Sequence, residues 1–107
     1  MSKYKNIKSG GYDSRKEQGF ALQLELLRKC NDPKQRVIDV REQVKFELLP
    51  KQDGERAVHY IADFVVQYAC GRTEVIDVKS AVTRKLPAYV LKRKMMKFFH
   101  GVTVWEV

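Results

Sequence analysis

The chain has 107 residues, with 21 Lys and Arg against 13 Asp and Glu, a formal charge of +8. That length allows one domain with one modest core, and 44% hydrophobic with 32% charged residues excludes a disordered chain. No apolar run reaches membrane-spanning length, the N-terminus has no signal-peptide core, and Cys30, Cys70, His59 and His100 lack zinc-site spacing, so a cytoplasmic protein with a polyanionic partner is expected.

Residues 1–12, polar and basic with Gly10 and Gly11, read as a mobile arm ahead of a single domain over 13–107. A helix is expected from about Ser14 to Cys30, because Phe20, Leu24 and Leu27 repeat at helical spacing with Leu22 and Leu26 beside them. Asn31-Asp32-Pro33 stops it. The stretch 36–40 is ambiguous. Residues 44–50 alternate as a strand, with Val44, Phe46 and Leu48 on one side and Lys45 and Glu47 on the other, and a turn-rich loop follows Pro50. Residues 59–69 form a long strand that is apolar on both faces, hence central. After Ala69-Cys70-Gly71, residues 73–80 return as a third strand. Pro87 starts a basic amphipathic helix to His100, with Leu91, Met95 and Phe98 in one stripe and Gly101 as its cap. Residues 102–107 close as a fourth strand.

Two features of the third strand call for chemistry. Asp77 and Lys79 are two residues apart, so on a strand they share a face. A three-residue hairpin loop with Gly71 in the left-handed position sets Tyr68 opposite Arg72 and therefore Asp63 opposite Asp77, whereas a two-residue Cys70-Gly71 turn sends the aspartates to opposite faces. In the first register two carboxylates lie close together on a partly apolar face, and they need a compensating cation. Lys79 supplies one charge; a hard divalent ion would supply more. The plainer reading is a solvated Asp–Lys ion pair, which Asp63 weakens by interrupting a strand built for burial. Glu17 lies on the sheet-facing side of the first helix, and it also completes a Ser14-x-x-Glu17 capping box.

Glu17 in a first helix, Asp63 in "YIADF" and Asp77-Val78-Lys79 in "VIDVKS", in the order α-β-β-β-α-β, resemble the PD-(D/E)XK nuclease superfamily. The "SRKE" helix start and Tyr89-x-x-Lys92-x-Lys94 are similar to small phage and prophage endonucleases related to Holliday-junction resolvases. Ala62 stands where the proline of the superfamily motif would be. The resemblance implies an α/β (α+β) fold with a restriction-endonuclease-like core, a mixed central sheet flanked by helices. It implies catalysis by Glu17, Asp63, Asp77 and Lys79, with Mg²⁺, or Mn²⁺ in its place, held by Asp63, Asp77, Glu17 and the Val78 carbonyl. The expected activity is hydrolysis of DNA phosphodiesters on branched or structured DNA in a bacterial host cell, with DNA recombination as its setting and a homodimer fitting the two cuts of a junction.

Arg84, Lys85, Lys92, Arg93, Lys94 and Lys97 then read as contacts to backbone phosphates, with Tyr89 lining the site. Trp105 and the Met95/Met96 pair read as core or as dimer surface. The competing function is a basic nucleic-acid-binding module without catalysis, which leaves Asp63 without a role.

Overall fold

A computed structural model describes residues 15–107; the expected arm at 1–12 and Ser14 with its capping box lie outside the described residues. Among them the order is α1 (Arg15–Leu27), β1 (Val37–Leu49), β2 (Val58–Tyr68), β3 (Thr73–Asp77), a 3₁₀ turn (Thr83–Lys85), α2 (Pro87–His100) and β4 (Val104–Glu106). The fold is mixed α+β. One four-stranded sheet runs in the order β1-β2-β3-β4, antiparallel across the first two pairings and parallel between β3 and β4. The α2 segment is the crossover that a parallel pair requires.

Neighbouring residues of β3 show how the layers form. Val75 and Ile76 point to opposite faces. Ile76 joins Ala21 and Leu24 of α1 with Val37, Phe64, Val66 and Tyr68. Val75 joins Met96 of α2 with Leu48, Tyr60, Ala62 and Val104. Strand β2 feeds both cores: Tyr60 and Ala62 the second, Phe64, Val66 and Tyr68 the first. In β1, Val37 and Val40 belong to the first core and Phe46 and Leu48 to the second. Between the two groups sit Asp63 on β2 and Gln43 on β1, and Gln43 has a φ of 53°, a left-handed conformation unusual for a residue with a Cβ. The polar residues of the hairpin collect at this level.

Several boundaries differ from the sequence expectation. Helix α1 ends at Leu27 because the amides of Arg28, Lys29 and Cys30 bond to carbonyls three residues back, tightening the chain ahead of Pro33. The ambiguous 36–40 stretch and the 44–50 strand are one strand of 13 residues. Strand β3 stops at Asp77, three residues early. Helix α2 begins at Pro87 and is closed by Gly101 at φ 66°, with the Gly101 amide on Lys97 O at 3.0 Å and the Val102 amide on Met96 O at 3.3 Å.

Of the expected Leu91/Met95/Phe98 stripe, Met95 is half-buried against the second core, while Leu91 and Phe98 are exposed and Met96 is the fully buried residue. Tyr89, Arg93 and Met96, at spacings of four and three, form the covered side. Met96 fills the second core while Trp105 is exposed. Cys70 is exposed in the hairpin loop and Cys30 half-buried, both as free thiols. Among the described residues no helix is long and apolar enough to cross a membrane.

Candidate active site

The β2–β3 hairpin adopts the three-residue loop. Tyr68 N–H donates to Arg72 O at 2.8 Å, Gly71 has φ 95°, and Phe64 pairs with Ile76 and Val65 with Val75. One step further that register sets Asp63 against Asp77. There the carboxylates replace the backbone ladder. Asp77 Oδ1 accepts the Asp63 amide at 3.0 Å, and Asp63 Oδ2 accepts the Val78 amide at 2.9 Å. This exchange ends β3 at Asp77 and fixes both side chains by amides they would otherwise leave unpaired.

Glu17 reaches the same place from α1. It is 4% exposed, against 8% for Asp63 and 0% for Asp77. Gln43 links the helix to the sheet: its Nε2 lies 3.5 Å from Glu17 Oε2 and 3.4 Å from Asp63 Oδ1. The left-handed backbone of Gln43 accompanies this bridge. Lys79 lies beyond the strand, yet its Nζ stands 3.9 Å from Asp63 Oδ2 and 4.0 Å from Asp77 Oδ1. Its own amide donates to Val107 O at 3.2 Å, and Lys16 Nζ donates to its carbonyl at 3.1 Å. Val78 donates its amide to Asp63.

Glu17, Asp63 and Lys79 border a hollow of about 340 Å³, with Lys16, Val78, Ser80 and Thr83 completing its lining. A second hollow of about 540 Å³ adjoins it through Lys16 and Val78, and Gly19, Phe20, Gln23 and Val107 complete its lining.

Burial raises the Asp77 carboxyl above its ordinary range; the amide of Asp63 and the charge of Lys79 oppose that, and Glu106 adds to it. Asp77 Oδ2 is buried without a hydrogen-bond partner. The donor set is all oxygen, and one of those oxygens is orphaned, which suits a hard cation. Among the described residues no three His, Cys, Asp or Glu side chains stand close enough together to chelate an ion. Mg²⁺ does not require such a cage, because it binds through one or two carboxylates with water and substrate phosphate completing its shell. Asp63 and Asp77 would hold it, with Glu17 next to them.

A fourth acid escaped the sequence reading. Glu106 on β4 is the register partner of Asp77. Tyr89 Oη donates to Glu106 Oε2 at 2.6 Å and Arg93 Nη1 to the same oxygen at 3.1 Å. The Tyr89 hydrogen bond, helped by Arg93 and by the charge of Arg84, holds the Glu106 carboxyl below its ordinary range against the effect of burial. Tyr89 also presents its ring 5.7 Å from Lys79 Nζ, so it borders the site while its hydroxyl is committed to Glu106. Burial and that hydrogen bond push the Tyr89 phenol well above its usual range. The basic residues therefore divide. Arg93 is ion-paired to Glu106, Lys92 and Arg84 are half-buried, and Lys85, Lys94 and Lys97 are exposed. Glu106 lies in a terminal strand of three residues, where alternation carries little signal, and Gln43 lies in the stretch between two short apolar patterns.

A family model described as "Protein of unknown function (DUF1064)" matches residues 1–105, and the chain belongs to that family. No curated protein and no solved structure matches it.

Proposed function

We propose that this DUF1064 chain is a metal-dependent DNA endonuclease with a restriction-endonuclease-like core, acting on branched or otherwise structured DNA. The observation that carries the reading is the buried pair Asp63 and Asp77, with an unpartnered oxygen on Asp77 and the Lys79 ammonium within 4.0 Å of both, where Asp63 and Lys79 line a surface hollow and Asp77 lies buried behind them. A fold does not bury carboxylates this way for stability, since the charged form of Asp77 is disfavoured where it stands.

When bound, Mg²⁺ supplies Lewis acidity toward the scissile phosphate and acidifies a water. The chain's own groups do the rest. Asp63 and Asp77 are oriented by the Val78 and Asp63 amides, so their oxygens are set before substrate arrives. Lys79 brings a positive charge to the point where negative charge builds on the phosphate, and it orients the attacking water. Glu17, tied through Gln43 to Asp63, adds a third carboxylate beside the pair. Lys85, Lys94 and Lys97 stand exposed to meet backbone phosphates, and Arg84, Lys92 and Arg93 add to the field. A four-way junction needs two cuts, which a homodimer with two such sites would make.

A binding module without catalysis accounts for the charge of +8 but not for Asp77, because a buried anion beside a phosphate path weakens binding. The test is incubation with single-stranded, duplex, flap and four-way DNA in Mg²⁺, Mn²⁺ or chelator. Metal-dependent cutting of the branched forms supports the nuclease. Tight binding with no cutting in any metal supports the module.

A further inference from the structure

Helix α2 has two unlike sides. Tyr89, Arg93 and Met96 are turned to the sheet and β4. Leu91, Lys94 and Phe98 form the outer stripe, all exposed. Phe98 is 81% exposed, more than any other large apolar side chain among the described residues. Its ring meets that of Phe99 edge-on at 5.0 Å, and Phe99 is also exposed. Core packing does not account for this pair.

Beside it, between α2 and β4, runs a cleft of about 350 Å³ lined by Arg93, Lys94, Lys97, Thr103 and Glu106 with Val102 and Val104. One end of the cleft is Glu106, the register partner of Asp77. Lys94 and Lys97, four residues and one residue before Phe98, line the cleft from the helix, and Lys94 shares the exposed stripe with Phe98. From Tyr89, which borders the site, to Phe98 is about 14 Å along the helix axis, or roughly four nucleotide steps.

We propose that this end of α2 is a binding site for an unpaired nucleobase: Lys94 and Lys97 hold the strand's phosphates in the cleft, and Phe98 stacks on a base released from the duplex. The site rests on the nuclease reading, for which it supplies the selectivity. Stacking on an aromatic ring is tolerant of sequence but requires an unstacked base, so it favours branches, gaps and ends over continuous duplex. A second copy of the chain fits this face poorly. Helix α2 carries Lys92, Arg93, Lys94 and Lys97 and no acid, so paired copies would set like charges together. The apolar part of the stripe is three side chains, Leu91 and Phe98 with Phe99, against the roughly 20–30 residues a side of a stable interface.

The experiment is equilibrium binding in Ca²⁺, chosen to suppress cutting, to a continuous duplex and to the same duplex carrying an unpaired flap, for wild type, Phe98→Ala and Phe98→Trp, with sedimentation of each protein. Phe98→Ala should weaken flap binding by about five- to 150-fold while leaving duplex binding within about twofold, and Phe98→Trp should restore it. An equal effect on both DNAs, or none on either, overturns the site. So does conversion of a wild-type dimer to monomer by Phe98→Ala, which would assign the face to a second copy. Cleavage is read separately: a wild type that binds these DNAs and a four-way junction and cuts none of them in Mg²⁺ or Mn²⁺ sinks the nuclease reading, while the Phe98→Ala binding ratio still decides the stacking site.

Discussion

Replacing Asp77 by Asn should stabilise the fold. Asp77 is fully buried, one of its oxygens has no partner, and burial outweighs the help it receives from the Asp63 amide and from Lys79. Asparagine keeps the acceptor for the Asp63 amide and removes the charge. Relieving a functional site of this kind is worth about 1 kcal/mol, which for a domain of this size is about 4–6 °C in Tm. The pH dependence has a definite sign. A carboxyl whose pKa is raised on folding binds its proton more tightly in the native state. Its contribution is therefore fully favourable below the unfolded value and is lost as pH rises through the folded one. The variant's advantage should be small in acid and grow toward neutral pH. Urea unfolding of both proteins across that range measures it, since carboxylates common to both cancel in the difference. An Asn variant less stable than wild type at neutral pH, or an advantage that does not change with pH, would refute the reasoning.

Three further outcomes follow from the same geometry. Glu17→Gln keeps a hydrogen-bonding group of the same shape but loses the charge, so thermal melting should barely move while DNA cleavage falls by a large factor; cleavage at the wild-type rate would reduce Glu17 to a structural role. At position 43, with φ 53°, Gly should be more stable than Ala by about 1 kcal/mol, the reverse of the usual order in a strand, as urea unfolding of Gln43→Gly and Gln43→Ala would show. DNA binding should weaken steeply with salt, with a log–log slope of about −4 to −5 if four to six phosphates are neutralised, and Lys94→Glu should make the slope shallower.

Much of the site was legible because strand geometry is local. Gly71 and the three-residue loop fix the register, the register sets Asp63 against Asp77, and helical spacing turns Glu17 inward. Gln43 was not legible, because its importance depends on a left-handed backbone and a contact between residues 17 and 63 that no pattern around position 43 encodes. The buried side of α2 was misread for another reason. Met95, Met96, Phe98 and Phe99 put apolar groups around most of the helix, so several stripes fit, and packing against β4 and the Tyr89–Glu106–Arg93 contacts select the one through Met96. Lys79 reached its predicted neighbours although β3 ends before it, since the parallel contact to Val107 carries the chain on past the strand.

The central claim meets its most direct test in cleavage of a four-way DNA junction by wild type and by Asp77→Asn, in Mg²⁺ and in chelator. The account predicts cutting by wild type in Mg²⁺ alone, with the variant folded, bound to the junction and inactive. Cutting that persists in chelator or in Asp77→Asn, or a wild type that binds the junction and leaves it intact in Mg²⁺ and in Mn²⁺, would contradict it.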